Sequence, residues 1–342
     1  MQISIKNVAE KAGVSAATVS RVLNDKANGQ IPPSTRERVR QAATDLGYQP
    51  NRFARSLQAR ETKIIGILIG AIHNPYFANM QEIAEELAAA AGYQVIADST
   101  VFSQRPLERS RFHGWPVDGV LMWGQANTKA GDLLDRRDLP FVYLGYTRHD
   151  DADFVGLDRQ AGAKALTTHL LDRGYRRITY AVPHSDPNIL NGDDRAIGYF
   201  EAMDDAGLAR RIQVLEVSKT PAISRGMGGR RADGFATALA IARMPAGERP
   251  DAVFCYNDLV ALGMREGLRS CGLSVPADVA IAGCDGLEEG LFLAEPLTTI
   301  ETPVEQMCDT AVRYLVRRLV EGSDIPPQQI VLPTTLRIGG TT

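Results

Sequence analysis

The chain has 342 residues, more than one domain of ordinary size, and its 44% hydrophobic and 23% charged residues are globular proportions that exclude a disordered or fibrous polymer. No stretch of 18 apolar residues occurs, so no membrane span is expected; "IIGILIGAI" is half a span and reads as a buried strand. The net charge of −3 hides an asymmetry: residues 1–63 hold eleven Lys/Arg against five Asp/Glu, a net +6 that leaves −9 for the remainder. A basic head on an acidic body points to a polyanion partner for the head alone.

"MQISIKNVAEK" lacks the apolar core of a secretory leader. Cys255, Cys271, Cys284 and Cys308 form no C-x-x-C pair and have no His at metal-ligand spacing. They read as reduced, buried thiols of a soluble cytoplasmic protein, and no cofactor or metal is expected.

The first 60 residues read as short helices. "IKNVAEKA" sets Ile5, Val8, Ala9 and Ala12 on one helical stripe, and Gly13 permits a sharp turn. Ser15 is a candidate N-cap for a second helix reaching Leu23, with Val19, Val22 and Leu23 inward. A breaker-rich loop, "NDKANGQIPP", leads to "STRERVRQAATDLG". There Ser34 and Glu37 are spaced as a capping box, Gly47 stands at the C-terminal cap, and Val39, Ala43 and Leu46 face inward. "NRFARSLQAR" is polar, basic and too short to be a stable helix alone, so it reads as a linker that folds on a partner.

From Lys63 onward, apolar runs alternate with amphipathic helices. Strands are predicted in "IIGILIGA", "YQVIAD", "GVLMW", "FVYLGY", "RRITYAV", "IQVLEV", "AVFCYN" and "VAIAGCD". Helices are predicted in "PYFANMQEIAEELAAAAG", "RQAGAKALTTHLLDRG", "RAIGYFEAMDDAG", "DGFATALAIARM" and "DLVALGMREGLRSCG". Strands without polar alternation, separated by helices, predict parallel sheets covered on both faces. The number of such units predicts two doubly wound lobes.

Helix, Gly turn, helix is the pattern of a DNA-binding helix-turn-helix, whose second helix enters the major groove. In "SAATVSR", Ala16 and Ala17 suit thymine methyls, and Arg21 can chelate guanine O6 and N7. Ser4, Ser15, Thr18, Ser20, Asn24 and Thr35 suit phosphate oxygens, which fix position without reading sequence. The alternative is a three-helix structural domain with a solvated basic face.

"VAEKAGVSAATVSRVLN" followed by "STRERVRQAATDLGYQPNRFARSL" resembles the head of the LacI/GalR family of bacterial transcriptional regulators. The resemblance continues in order through "IGILIGAIHNPYFANM", "VDGVLM", "HLLDRGYRRITYAV", "RAIGYFEAM", "PDAVFCYNDLVALGMREGLRSCGLSVPADVAIAGCDG" and "PLTTIETP". It implies an α/β fold with a helix-turn-helix head over residues 1–49, a hinge helix over 50–62, and a type I periplasmic-binding-protein-like body over 63–342. Lobe one would take about 63–158 and 304–323, and lobe two about 159–303 and 324–342. Leu57 matches the leucine that the family wedges into the minor groove, flanked by Asn51, Arg52, Ala54 and Arg55. In the crevice between the lobes, Asn74, Tyr76, Phe77, Arg195, Asn257, Asp258 and Asp285 match effector-binding positions, although Asp258 could equally cap the helix after it. Trp123, at the end of its strand, could be a sugar platform or core.

Departures are visible too. Gly145 stands where many members carry an acid, and Ile189 falls near the discriminating arginine of the purine-binding member, which turns the expectation away from a purine. The expected partners are near-palindromic double-stranded operator DNA, a small-molecule effector of sugar type, and a second copy of the chain. A corepressor-dependent regulator answering to another metabolite remains the alternative. An enzyme is not expected: G-x-S-x-G, H-E-x-x-H and G-x-x-x-x-G-K-[ST] are all absent, and the five His are scattered.

Overall fold

The computed structural model describes residues 3–23, 30–48, 61–70, 72–98, 116–123, 139–145, 152–183, 190–218, 229–322 and 324–342. The chain divides into two compact units at Thr62/Lys63.

In the first unit, α1 (Ile5–Ala12), α2 (Ala16–Leu23) and α3 (Pro33–Leu46) close over Val8, Ala12, Val19, Val22, Val39 and Ala43. Gly13 and Gly47 end α1 and α3 at φ 63° and 62°, the left-handed caps that a side chain would strain. The expected capping box at Ser34 is not used. Pro33 takes the first helical position, where its fixed φ fits and its missing N–H costs nothing, so Ser34 falls inside the helix.

Among the described residues, the second unit holds two six-stranded sheets. The first contains β1 (Ile64–Leu68), β2 (Gln94–Asp98), β3 (Gly119–Trp123), β4 (Phe141–Gly145), β5 (Asp153–Asp158) and β11 (Gln329–Pro333), in the order β11-β5-β4-β3-β1-β2. All its pairings are parallel. The second contains β6 (Ile178–Val182), β7 (Gln213–Glu216), β8 (Ala252–Cys255), β9 (Ala280–Asp285), β10 (Thr298–Glu301) and β12 (Thr335–Arg337), in the order β12-β10-β9-β8-β6-β7, with only β12 antiparallel. Every predicted strand is present, and β3 and β6 are buried at all five positions, as two-sided cover requires.

Helices α4 (Pro75–Ala90) and α9 (Val304–Glu321) pack on the first sheet, burying Met80, Ala84, Met307, Ala311 and Leu315. Helices α5 (Arg159–Asp172), α6 (Asp194–Asp205), α7 (Arg231–Ala242) and α8 (Asp258–Ser270) cover the second. Leu259, Leu262 and Leu287 of lobe two join the apolar cluster of lobe one, so the lobes share a core seam.

The chain crosses between lobes after Asp158, before Val304 and after Pro333. This corrects the expectation that 324–342 belongs wholly to lobe two: β11 pairs with β5, register Gln329↔Phe154 to Pro333↔Asp158, and only β12 returns to the second sheet. The cysteine reading is corrected at one position: Cys255, Cys284 and Cys308 are buried but Cys271 is exposed, because it caps the C-terminus of α8. Among the described residues no helix is long and apolar enough to cross a membrane.

Candidate functional site

In the head, Ser15 Oγ accepts the Thr18 backbone N–H at 3.1 Å and lies 2.9 Å from the Thr18 hydroxyl, capping α2 as its position predicted. Ala17 and Arg21 are exposed one turn apart on that helix, while Ala16, Thr18 and Ser20 are half-buried, Ala16 against the small core. Ser4 is exposed before α1, its N–H and hydroxyl both donating to Asn7 Oδ1 at 3.0 and 2.8 Å. Thr35 is half-buried in the first turn of α3. Arg38 Nε donates to the Ala12 carbonyl at 2.9 Å, tying α3 to the turn and fixing the angle at which α2 is presented. Asn24, Asn51, Arg52, Ala54, Arg55 and Leu57 lie outside the described residues.

The second candidate site lies between the lobes, at the C-terminal ends of both sets of strands, where open α/β sheets place their crevices. Asn74 caps α4: its Oδ1 accepts the Tyr76 N–H at 3.0 Å. Its Nδ2 crosses to the other lobe and donates to Asp285 Oδ2 at 3.1 Å. Tyr76, Phe77 and Trp123 form an edge-on trio with centroids 5.3–5.6 Å apart. Phe77 lies so tightly over Gly70 that a Cβ there would meet the ring, which makes it packing as much as lining.

Of the two readings left open for Trp123, sugar platform or core, its surroundings fit the core. The indole is 5% exposed, edged by Tyr76 and Phe77, and Arg159 holds its guanidinium 5.3 Å from the ring centroid. Arg159 itself is 4% exposed. It follows β5, a strand the pattern reading passed over, so no sequence signal marked it as a strand-end residue.

On the lobe-two wall Arg195 is engaged. Its Nε donates to Asp193 Oδ1 at 2.9 Å and its Nη1 to the Tyr256 carbonyl at 2.6 Å, with the guanidinium over the Tyr256 ring. Burial alone would raise the Asp193 carboxyl, but the Arg195 charge and the Tyr180 hydroxyl, 2.9 Å away, outweigh it and hold the carboxyl below its usual range. Asp193, Tyr256 and Tyr180 were missed in the sequence. The "GDDRA" run before a helix was the signal for Asp193, which caps α6.

Asn257 caps α8, accepting the Val260 N–H at 2.9 Å and donating to the Gly229 carbonyl at 3.3 Å. Asp258 is corrected from effector contact to internal strut. Fully buried, it accepts the Thr299 hydroxyl at 2.5 Å and the Gly286 and Leu287 N–H groups at 2.9 and 2.7 Å. Asp285 sits at φ 146°, a backbone region that costs a non-glycine residue of order 1–3 kcal/mol. Its own carbonyl accepts the Thr302 hydroxyl at 3.2 Å, and the flanking Gly286 N–H is held by Asp258. Burial first, then the Asp258 charge, push the Asp285 carboxyl upward in pKa; Asn74, Arg159 and Arg195 oppose this only in part. The strained turn thus presents a carboxyl poised between donor and acceptor across the lobe boundary.

Residues 4–51 match the family profile described as bacterial regulatory proteins, lacI family, and residues 167–342 match the periplasmic binding protein-like domain. The HTH-type transcriptional repressor PurR of Photobacterium profundum is 31% identical over 322 residues, 92% of each chain. The structure of a complex between the transcriptional regulator CelR and cellobiose aligns with a TM-score of 0.68 at 27% identity, over 99% of this chain and 100% of that one. The lac repressor dimer bound to operator shares the fold, with a TM-score of 0.80 at 21% identity over 100% of this chain and 99% of that one. With a helix-turn-helix head, a two-lobed body and a repressor 31% identical over nearly its whole length, this chain belongs to the LacI family of bacterial transcriptional regulators.

Proposed function

We propose that the chain represses transcription as a homodimer on a near-palindromic operator, and that a sugar-type effector closing in the interlobe cleft controls that binding. The Asn74–Asp285 hydrogen bond carries the reading, because a polar contact between strand ends of opposite lobes makes cleft closure depend on what occupies it. Phe77, the half-buried member of the aromatic trio, and the polar groups opposite it suit a ring with hydroxyls on its edge. CelR, whose complex holds cellobiose, supplies the precedent. Ala17 and Arg21 would read bases, with Ser4, Ser15, Thr18, Ser20 and Thr35 at the backbone. Coupling between cleft and head would be of the usual order, about 1–3 kcal/mol.

The test combines selection of a bound duplex from random inverted repeats with a thermal-shift screen of sugars, nucleosides and amino acids. A sugar that both stabilises the protein and changes affinity for the selected duplex supports the reading. Stabilisation by nucleosides or amino acids alone rejects the sugar class, and no preference for any inverted repeat rejects the operator.

A further inference from the structure

We propose that Thr302 is a positioning residue that couples effector occupancy to lobe orientation, by tying the Asp285 turn of lobe two to Tyr76 of lobe one at one of the crossovers between them; this rests on the reading of the cleft as the effector site. Thr302 and Pro303 are the whole connection between β10 and α9. Pro303, at φ −77° and ψ 69°, is the centre of an inverse γ-turn, closed by the Val304 N–H donating to the Thr302 carbonyl at 2.8 Å. A connection this short, with proline fixing one of its dihedrals, has little slack, so a displacement of Thr302 is carried into the first turn of α9. That helix buries Met307, Cys308 and Ala311 in the core of lobe one, and the Cys308 thiol donates to the Met80 carbonyl of α4 at 3.6 Å. Tyr76 lies in the first turn of the same α4.

The Thr302 side chain closes the circuit. Its hydroxyl donates to the Asp285 carbonyl at 3.2 Å and is a hydrogen-bonding neighbour of the Tyr76 phenol. A hydroxyl has one hydrogen and a carbonyl only accepts, so the phenol is the donor on the other side. The series runs from the Tyr76 O–H to the Thr302 O–H to the Asp285 carbonyl, and hydrogen bonds in series strengthen one another. A second link joins the same two residues: Asn74 Oδ1 accepts the Tyr76 N–H at 3.0 Å, and Asn74 Nδ2 donates to the Asp285 carboxyl at 3.1 Å. Tyr76 and Asp285 are therefore joined twice across the lobe boundary, once through the side chain of each.

Asp285 is suited to be the moving part. Its φ of 146° is a conformation that persists only while its surroundings hold it. Asp258 pins the next two N–H groups, of Gly286 and Leu287, at 2.9 and 2.7 Å, so a change at Asp285 is passed to Asn74 and Thr302 instead of being absorbed further along the turn. A hydroxyl of an effector that takes the Asp285 carboxyl competes directly with Asn74. Thr302 holds the carbonyl, which the effector does not contest, and it stands on the crossover itself. An effector shifts the lobes only by contacts that differ between their two orientations, and the Thr302 link is a contact that turns a re-aimed Asp285 into such a difference.

The test compares Thr302→Val, which keeps the branched shape and removes the hydroxyl, with Thr302→Ser, which keeps the hydroxyl, in the full-length protein. The probes are D-glucose, D-galactose, D-ribose, D-gluconate and cellobiose, with binding read by calorimetry. Operator affinity is read by fluorescence anisotropy on the duplex selected from random inverted repeats, with and without each sugar, and the quantity compared is the ratio of the two affinities. A sugar that binds the wild type should change its operator affinity by about fivefold or more. Thr302→Val should still bind that sugar but change operator affinity by less than about twofold, and Thr302→Ser should restore the wild-type ratio. A purely structural role would lower the melting temperature of Thr302→Val and leave the ratio where it was. A wild-type ratio in Thr302→Val, loss of sugar binding in that variant, or failure of Thr302→Ser to restore the ratio each overturns the coupling role and leaves the sugar cleft standing. A panel in which no sugar binds the wild type, or in which binding leaves operator affinity unchanged, overturns the effector reading and the coupling role with it.

Discussion

Arg21 is exposed on α2 while the neighbouring Val19 and Val22 anchor that helix in the core, so its removal leaves the head folded. A bidentate contact to guanine discriminates by about 1–3 kcal/mol. Arg21→Ala should therefore weaken binding to the selected operator by about 10–100-fold in fluorescence anisotropy, with a far smaller loss on random duplex. Equal losses on both would assign Arg21 to phosphates. Asp258 provides the contrasting case of a residue whose chemistry is spent internally. Asp258→Ala strands two buried backbone N–H groups and should cost about 2–5 kcal/mol in urea unfolding. Asp258→Asn should cost much less, because an amide oxygen can face those donors while its NH₂ donates to a rotated Thr299 hydroxyl. Asn257 and Asp258 were legible as a pair at a strand end. Which of them caps α8 and which braces the Asp285 turn depends on one residue of helix register, and composition does not encode that.

At the level of elements, α7 and α8 touch through glycines: a Cβ on Gly263 would meet the Arg231 carbonyl, and one on Gly234 the Val260 carbonyl. Backbone cannot yield as a flexible side chain can. Gly263→Ala should lower stability by about 3 kcal/mol or more, whereas Gly247→Ala, with open space at its Cβ, should stay within about 1 kcal/mol by the same urea measurement. A small loss at Gly263 would mean that the helices part without penalty. Eight strands were readable because buried parallel strands are continuous apolar runs. The four that were missed lack that signal. β5, "DFVGLD", is bounded by aspartates; β10 and β12 are four and three residues long; β11 is an exposed edge ending in proline. Those four strands flank the crossovers between lobes, so the lobe boundary was misplaced where the pattern was weakest. Arg159 was missed for the same reason.

Across the whole body, the lobes meet through Leu259, Leu262 and Leu287 in an apolar seam and through the Asn74–Asp285 bond at the cleft. His73 of lobe one lies near Arg230 and Asp233 of lobe two, where burial and then the Arg230 charge depress its pKa. Asp285 and His73 pull the pH dependence of stability in opposite directions. A His held neutral in the folded state favours folding as pH rises toward its unfolded value near 6.5. Asp285 is displaced upward, so below the unfolded aspartate value near 4 both states hold its proton and it contributes no penalty. As pH climbs from there toward neutrality, the unfolded chain ionises freely while the folded one retains the proton, and stability falls. Asp285→Asn keeps an oxygen to accept from Asn74 and removes only the titration. The melting temperature of the variant should therefore gain steadily on that of the wild type between pH 4.5 and pH 7.5, by an amount equivalent to about 1–3 kcal/mol. His73 is common to both proteins and cancels, so the difference curve reports Asp285 together with Asp258, the buried carboxyl whose charge acts on it. A flat curve would mean that its carboxyl ionises in the folded cleft as readily as in water, and that the strained turn holds it for geometry alone.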